Sequence, residues 1–237
     1  MRKVRVFNSV SIDGYFSARD GDYQWAHEGA NDPELAEFTK SNAQGENVLV
    51  FGRVTYDVMV AWWPTAEAAK TMPEVAKGMN QAPKYVFSRS LKTASWANTT
   101  LLHDDPAGAI ARIKASPGPD LTVLGSGTIV AQLTEAGVID EIQLLVVPVI
   151  LGSGKSLFSE VSGRPWWNLT KSKTFKNGRV FASYERLRHQ KSGWSCKEPI
   201  FATSDERAAR GLRSANLHAA KVMSTRGMLL PSAAFDR

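Results

Sequence analysis

The chain has 237 residues and a formal net charge of +6, with 43% hydrophobic and 22% charged residues, which is ordinary for a globular protein. Its single cysteine excludes a disulfide framework and any multi-cysteine metal site, and its four histidines lack metal-ligand spacing, so we expect no metal. No apolar run reaches the roughly 18 residues of a membrane span. Met1 runs straight into a strand-like segment, so we expect no signal peptide and predict a cytoplasmic protein.

The positive charge is concentrated at the carboxyl end of the chain. Residues 1–187 contain 20 Lys and Arg against 19 Asp and Glu, whereas residues 188–237 contain 9 against 4. A basic protein that binds nucleic acid would carry this charge on its folded body, so nucleic acid is not an expected partner. We predict a basic C-terminal extension over 188–237, partly disordered or helical, with helical spacing over 205–223.

The first 187 residues alternate between strand and helix patterns. Residues 3–10 predict a strand, residues 11–31 a long loop, and Asp32 before Pro33 the start of a helix. Further strands are predicted at 46–52, 84–88, 99–103, 120–125 and 141–150, helices at 54–61, 73–80, 106–115 and 126–136, and a hairpin at 168–175 and 179–187. Pro148 indicates an edge or a bulge in its strand. This order predicts an α/β domain with a mostly parallel sheet and an antiparallel edge.

Three of the predicted strands end in groups that suit an anion. The carboxyl ends of parallel strands lie on one edge of a sheet, where helix N-termini and arginine side chains bind phosphates. Each motif alone has a structural alternative, such as a helix cap or a tight turn. Together they predict a site for a ligand with several phosphates. The motifs are Gly52-Arg53 with Thr55, Ser88-Arg89, and Gly125-Ser126-Gly127.

Two glycine-rich segments imitate nucleotide-binding motifs without matching them. The segment after residue 124 has Val130 where the dinucleotide fingerprint requires glycine. The segment from Gly152 to Ser156 resembles a P-loop, but Val149 stands where that motif requires its first glycine. We therefore predict neither a dinucleotide fingerprint nor a nucleotide-hydrolysing loop, and interpret residues 152–156 as a structural loop.

Short motifs in a fixed order extend over the first 187 residues. They are SIDGY at 11–15, GDYQW at 21–25, FGRVTY at 51–56, VFSR at 86–89, VLGSG at 123–127, VIDE at 138–141, PVILGSG at 148–154 and LF at 157–158. In these motifs the chain resembles the dihydrofolate reductase-like family. The likeness is to the branch related to the C-terminal reductase domain of the bifunctional riboflavin-biosynthesis deaminase/reductase. Residues 188–237 have no counterpart in this resemblance.

The resemblance implies a three-layer α/β/α domain over residues 1–187, with a central mixed, mostly parallel sheet of about eight strands. It implies NADPH bound across the carboxyl edge of that sheet, a strained peptide at Gly125–Ser126, and a mobile loop over residues 13–25. The implied cofactor-binding residues are Val10, Ser11, Ile12 and Gly14 at the nicotinamide, Gly52, Arg53 and Thr55 at the pyrophosphate and adenosine phosphate, Ser88 and Arg89 at the 2′-phosphate, and Gly125, Ser126, Gly127 and Thr128 against the pyrophosphate.

The resemblance further implies an NADPH-dependent reductase that transfers hydride to a small planar heterocycle, pterin-like or pyrimidine-like. Asp13 and Glu37 are candidate proton donors, and Glu34 is a further candidate on the first helix. The alternative for Asp13 is that it forms the turn before Gly14. Trp25 and Tyr56 are candidate substrate contacts, with a core position as the alternative for Trp25. The alternative function is a non-catalytic nucleotide-binding or scaffold member of the same fold. We expect a homodimer, with its interface near residues 142–150 and the 166–187 hairpin.

Overall fold

The computed structural model describes residues 1–187, so the predicted extension over 188–237 lies outside the described residues. Within residues 1–187 the chain forms ten strands, six α-helices and a short 3-10 helix at Gln24–Ala26. The strands are β1 (Val4–Ser11), β2 (Tyr15–Ala18), β3 (Asn47–Gly52), β4 (Lys84–Phe87), β5 (Thr99–Leu102), β6 (Asp120–Leu124), β7 (Glu141–Val147), β8 (Gly154–Ser156), β9 (Trp167–Thr174) and β10 (Val180–Arg186). The helices are α1 (Pro33–Ala43), α2 (Arg53–Trp62), α3 (Ala66–Thr71), α4 (Pro73–Gln81), α5 (Pro106–Ala115) and α6 (Gly127–Glu135).

Eight strands form one sheet in the order β5-β4-β3-β6-β1-β7-β10-β9. The six strands from β5 to β7 are parallel, and β10 runs antiparallel to both β7 and β9. Helices pack on both faces, which confirms the predicted three-layer fold with a mixed, mostly parallel sheet of eight strands. Among the described residues, no helix combines the length and apolar character that crossing a membrane requires.

The structure differs from the predicted elements in three places. Strand β7 ends at Val147, so Pro148 lies beyond it and not inside an edge strand. The reason is that β7 pairs with β1 on one side and β10 on the other, and proline has no N–H for such a ladder. Helix α3 and the ribbon of β2 with β8 lie in segments that the sequence patterns leave as loops. The P-loop-like segment contains β8, which pairs with β2 and does not open a helix.

The two faces of the sheet are packed differently. One face is covered by α5 and α6 in a continuous apolar cluster that includes Val6 and Ile110. On the other face, α2 and α4 pack over β3 and β4 around Phe51, while α1 packs over β7 and β10 around Leu35 and Phe181. These two clusters are separate, and the strands between them are β6 and β1. A gap therefore lies over the middle of the sheet on this face.

A buried lysine stands at the start of β4. The Lys84 side chain is 1% exposed, and its Nζ donates hydrogen bonds to the carbonyl oxygens of Asn80, Ala82 and Ala97. The same Nζ lies 4.4 Å from the ring centroid of Trp96. Burial lowers the pKa of Lys84 to about 8, from an ordinary value of 10.5.

This shift predicts a stability that rises with pH. Between pH 8 and 10.5 the unfolded chain binds the Lys84 proton and the folded chain releases it, so alkali favours the folded state. Relative to Lys84→Met, we expect the wild-type free energy of unfolding to rise by about 2 kcal/mol between roughly pH 8 and pH 10. Urea titrations of both proteins at each pH measure this difference. A difference that stays constant with pH would mean that the folded chain keeps Lys84 protonated throughout.

Candidate active site

A cleft of about 2010 Å³ runs along the carboxyl ends of β3, β4 and β6 and continues into the gap between α1 and the sheet. Its lining includes all the predicted phosphate-binding positions. They are Gly52, Arg53, Thr55, Ser88, Arg89, Gly125, Ser126, Gly127 and Thr128. The structure therefore brings together, at one edge of the sheet, three motifs that are far apart in the sequence.

The centre of this edge is the Ser126 side chain. Its Oγ accepts a hydrogen bond from the Gly52 backbone N–H at 2.7 Å and lies 3.0 Å from Thr55 Oγ1. Thr55 Oγ1 also accepts the Ser126 backbone N–H at 3.0 Å. These bonds join the end of β6 to the end of β3, so they fix the start of α6 against the start of α2.

Both helices begin at this junction without a side-chain cap. Among the other helices, α1, α3 and α5 are capped by the side chains of Asp32, Thr65 and Asp105, and α4 also begins without a side-chain cap. The first N–H groups of an uncapped helix have no partner within the helix and lie at the positive end of its dipole. Two such ends beside each other form an arrangement suited to a ligand with adjacent phosphates.

The backbone is strained where β6 meets α6. Gly125 and Ser126 have φ values of +58° and +59°, and the left-handed conformation is costly for a residue with a side chain. The Asn8 side chain holds this turn, since its Oδ1 accepts the Gly125 N–H at 2.8 Å and its Nδ2 donates to the Gly125 carbonyl. Asn8 is 6% exposed, and its contact with this turn is one that the sequence patterns missed. The sequence does contain a signal for this position, because Asn8 is a polar residue on the same buried face of β1 as Val4, Val6 and Val10.

The two arginines of the predicted site differ in their contacts. Arg53 is half-exposed and its Nη1 contacts Asp57 Oδ2 at 2.6 Å, one turn further along α2. Arg89 is exposed, and its side chain makes no hydrogen bond or ion pair with another residue in the described part of the chain. Ser88 is buried, with its Oγ accepting the Leu91 N–H at 2.9 Å and its carbonyl oxygen 2.5 Å from His103 Nδ1.

The residues predicted at the nicotinamide form a closed turn after β1. Ser11 Oγ donates to Asp13 Oδ1 at 2.6 Å, and the Gly14 N–H donates to the Ser11 carbonyl at 3.0 Å. The Asp13 carboxylate also accepts the N–H groups of Leu151 and Gly152, at 3.2 and 2.8 Å. The Ser11 hydrogen bond and these two N–H groups lower the pKa of Asp13, so this carboxylate is ionised and holds two loops together. The structure thus favours the turn role over that of a proton donor.

The other nicotinamide candidates lie around this turn. Val10 is 6% exposed and belongs to the core cluster under α5 and α6, whereas Ile12 is 60% exposed. Residues 15–18 of the predicted mobile loop form β2 and pair with β8, so the structure anchors that part of the loop. The lining of the cleft contains Tyr15 and Phe16 from this segment, which the sequence patterns did not single out.

Three further candidates have structural contacts in place of the predicted roles. Tyr56 is 2% exposed and its hydroxyl accepts the Trp96 N–H at 3.1 Å, so its ring is a core residue that no substrate can stack on. Trp25 is 6% exposed and its indole N–H donates to the Asp22 carbonyl, as in the core alternative. Glu37 has a 71% exposed side chain that pairs with Lys40 on the solvent side of α1. An aromatic or acidic residue inside a motif does not by itself reveal which way its side chain faces.

The gap over β6 and β1 is an open pocket beneath α1. Its floor includes Phe7, Thr122 and Leu124 of the sheet, and its roof includes Leu35 and Thr39 of α1. The side of α1 that lines the gap carries no carboxylate, and Glu34 pairs with Lys173 at 2.9 Å. His27 also lines the cleft, where desolvation and the nearby Arg179 guanidinium lower the pKa of its ring, which is therefore neutral at neutral pH.

The roof of the pocket is fixed by the tip of the last hairpin. Arg179 is 2% exposed and donates to the carbonyl oxygens of Ala26, Glu28 and Gly29 in the segment before α1. Asp32, which caps α1, also accepts the Asn177 N–H at 3.2 Å. The hairpin between β9 and β10 therefore positions both the entrance loop and the start of α1.

A comparison with known protein families matches residues 2–181 to the RibD C-terminal domain. Two relatives come from Bacillus subtilis (strain 168), and both are named as uncharacterized proteins. YyaP is 28% identical over 183 residues, covering 77% of this chain and 94% of its own length. YwjB is 27% identical over 176 residues, covering 73% of this chain and 92% of its own length.

Solved structures show the same fold at low sequence identity. A protein from Shewanella sp. PV-4, whose name links it to riboflavin biosynthesis, has a TM-score of 0.60 at 22% identity, covering 78% of this chain and 99% of its own. A pyrimidine reductase-like protein from Corynebacterium diphtheriae has a TM-score of 0.53 at 14% identity, covering 79% and 93%.

The strained turn predicts an asymmetry between two alanine variants. At Gly125, a Cβ would lie 2.8 Å from Thr55 Cγ2 on a backbone with φ +58°. At Gly152 the φ is +71°, and no other atom of residues 1–187 would lie within 4 Å of the Cβ. In both variants an alanine must adopt the left-handed conformation, which costs about 1–2 kcal/mol of folding free energy, but only Gly125→Ala adds a steric clash. We expect Gly125→Ala to lower the free energy of unfolding by at least about 1 kcal/mol more than Gly152→Ala. Urea unfolding measures both, and equal losses would contradict the tight contact with Thr55.

Proposed function

The chain belongs to the RibD C-terminal domain family, and from that premise we propose that it is an NADPH-dependent reductase acting on a small planar heterocycle. The observation that carries the proposal is the junction of two uncapped helix N-termini beside an open pocket. The family is a reductase-like one with a dihydrofolate reductase-like fold. The name of one solved neighbour mentions riboflavin biosynthesis and the name of the other a pyrimidine reductase, and reduction of a heterocycle agrees with both.

The junction suits the pyrophosphate of a dinucleotide. Helix N-termini supply unpaired N–H groups from α2 and α6, and the Gly52–Ser126 hydrogen bond keeps the two ends at a fixed separation. Neighbouring side chains require glycine at positions 125 and 127, since a Cβ would lie 2.8 Å from Thr55 Cγ2 at Gly125 and 2.7 Å from the ring of Phe16 at Gly127. Arg53, held by Asp57, adds a guanidinium at the first turn of α2.

The choice of NADPH over NADH rests on the end of β4. Arg89 is exposed on the lining of the cleft with its guanidinium unpaired within residues 1–187, and Ser88 precedes it. A phosphomonoester such as the 2′-phosphate of NADPH is bound well by a guanidinium fork. NADPH supplies a hydride when bound, and the residues of the chain orient it and its acceptor.

The pocket beneath α1 would hold the hydride acceptor. It opens directly onto the strand edge that carries the phosphate-binding groups, so a ring in the pocket can lie against a cofactor bound along that edge. Apolar walls from Phe7, Leu35 and Leu124 exclude water from the ring faces, and this favours a close and fixed approach of the two reacting rings.

Among residues 1–187, the pocket beneath α1 has no carboxylic acid on its floor or on its roof. The carboxylates that line the cleft within residues 1–187 are those of Asp104, Asp105 and Glu160, and none of them lies on α1 or on the sheet floor. We propose that solvent supplies the proton through the open mouth. The same observation favours the second candidate function, a non-catalytic member that binds the nucleotide without turnover.

A cofactor titration followed by a turnover assay separates these two functions. Saturable enhancement of NADPH fluorescence by the full chain is expected, and its absence below about 100 μM would reject the proposal. The turnover assay then monitors NADPH oxidation by absorbance in the presence of a pterin, pyrimidine or flavin-precursor substrate. Oxidation that depends on the substrate identifies a reductase. Binding without oxidation across these classes would establish the non-catalytic function.

We also retain the homodimer as a proposal. Strand β7 has neighbours on both sides, so the β9–β10 hairpin is the part of the predicted interface that stays at the edge of the sheet. Leu169 on β9 is 39% exposed. Light scattering of the full chain is expected to give twice the monomer mass, and Leu169→Glu is expected to lower it.

Arg89→Ala is expected to remove the preference for NADPH. The variant should weaken NADPH binding by about 10-fold or more through loss of a charge-assisted pair, and leave NADH binding unchanged. Fluorescence titrations with both cofactors measure the ratio. Lys92→Ala is the matched control, because it removes an exposed positive charge three residues away that does not line the cleft. Equal weakening of NADPH and NADH by Arg89→Ala would contradict the assignment.

A further inference from the structure

The P-loop-like segment from Gly152 to Ser156 contains two glycines that the fold requires and a lysine that the fold does not use. Gly152 adopts φ +71° in the turn before β8, and a Cβ at Gly154 would overlap the Ser17 carbonyl oxygen across the ribbon of β2 and β8. Lys155 is exposed, and its ammonium makes no hydrogen bond or ion pair with another residue among residues 1–187. The fold therefore leaves its positive charge available.

The ribbon of β2 and β8 lies against the start of α6. A Cβ at Gly127 would lie 2.7 Å from the Phe16 ring of β2 and 3.3 Å from the Ser156 carbonyl oxygen of β8. Lys155 directly precedes Ser156 and pairs with Ser17 across the ribbon, and both Lys155 and Ser17 line the cleft. The ribbon therefore brings a cation to the part of the cleft that contains the first turn of α6.

Within residues 1–187, Lys155 is one of two cationic side chains lining the cleft whose charge has no partner. Five arginine and lysine side chains line this cleft. Three of them have partners in the fold, namely Arg5 with Glu141, Arg53 with Asp57, and Arg179 with backbone carbonyl groups. The other two are Arg89 at the end of β4 and Lys155 on β8. Because Arg89 is assigned to a phosphomonoester, Lys155 is the cation left for a second anionic group.

The start of α6 lacks a charged side chain of its own. Residues 127–130 are all uncharged, whereas α2 begins with Arg53. A diphosphate carries a negative charge on each phosphate, and the end of a helix supplies only about half a positive charge. A cation beside α6 would balance the phosphate nearest that helix, as Arg53 would beside α2.

We propose that Lys155 binds the diphosphate of the cofactor at the start of α6, so that the ribbon of β2 and β8 adds a further segment of the chain to the phosphate site. The inference rests on the proposed function in one respect, since it takes the junction of α2 and α6 as the diphosphate site. The glycines of the P-loop-like segment shape a ribbon, and its lysine reaches an anion held by a different helix. Because NADPH and NADH share the diphosphate, Lys155 contributes to the affinity for both and not to the choice between them.

The test compares three ligands that share the diphosphate. Binding of NADPH and NADH to the full chain is measured by cofactor fluorescence, and binding of ADP-ribose, which lacks the nicotinamide and the 2′-phosphate, by isothermal titration calorimetry. Lys155→Gln is expected to weaken all three by a similar factor, about 5-fold or more, through loss of a charge-assisted contact. Lys155→Arg is expected to restore most of the affinity. Unchanged affinity of Lys155→Gln for the three ligands would overturn the inference.

Lys92→Gln is the matched control, because Lys92 is also an exposed lysine without a partner among residues 1–187 but does not line the cleft. The control is expected to keep all three affinities. Urea unfolding is expected to give both variants the wild-type free energy of unfolding, since neither loses a contact within the described part of the chain. A loss of affinity in Lys92→Gln equal to that in Lys155→Gln would show an effect of net charge alone and would overturn the inference.

The set of ligands distinguishes this inference from the proposed function. ADP-ribose binding that depends on Lys155, without NADPH binding, would reject the proposed cofactor and support the role of Lys155. NADPH binding that is insensitive to Lys155→Gln would reject that role and leave the proposed reductase intact. A loss confined to NADPH would assign Lys155 to the 2′-phosphate and overturn the diphosphate contact. No saturable binding of any of the three ligands would reject both proposals.

Discussion

The hydrogen bond from the Gly52 N–H to Ser126 Oγ is the interaction on which the site depends. It links residues 74 positions apart, and it joins the ends of two strands to the starts of two helices. Because the Ser126 hydroxyl is bound to the residue before α2, it does not cap either helix, and the first N–H groups of both remain available. The strained φ of Ser126 is the cost of placing that hydroxyl between the two strand ends.

The pocket beneath α1 arises from an interruption of the core. The face of the sheet under α5 and α6 is packed continuously, whereas the opposite face is packed at its two sides and open over β6 and β1. The floor of this opening alternates apolar residues such as Phe7 and Leu124 with the polar pair Arg5 and Thr122. The same strands thus support a closed core below and a polar-lined pocket above, which explains how one sheet serves both stability and binding.

The sequence predicted the parts of the site that depend on local chemistry. Gly52, Gly125 and Ser126 stand at the ends of recognisable strands, and parallel pairing brings such ends to one edge whatever the details of packing. The parts it missed depend on partners far along the chain. Asn8 bonds to Gly125, and Arg5 contacts Glu141, at separations of 117 and 136 residues.

The direction of side chains was the other source of error. Tyr56 and Trp25 belong to the family-like motifs, but their rings pack inward because the helix and loop that carry them turn those positions to the core. Asp13 has the chemistry of an acid, but two N–H groups from residues 151 and 152 claim its carboxylate. For Tyr56 and Asp13 the neighbours that decide the role come from distant segments, whereas the Trp25 indole bonds to the Asp22 carbonyl only three residues away.

Because Arg179 lies near the end of the domain, its contacts decide when during synthesis the entrance of the cleft can take its final structure. Its bonds to residues 26–29 span about 150 positions, so the entrance loop and the start of α1 can be fixed only after almost the whole domain has been synthesised. The parallel strands from β1 to β7, whose ends form the junction of α2 and α6, are synthesised before the β9–β10 hairpin. The two halves of the cleft are therefore completed at different times during synthesis, and the half beneath α1 is completed last.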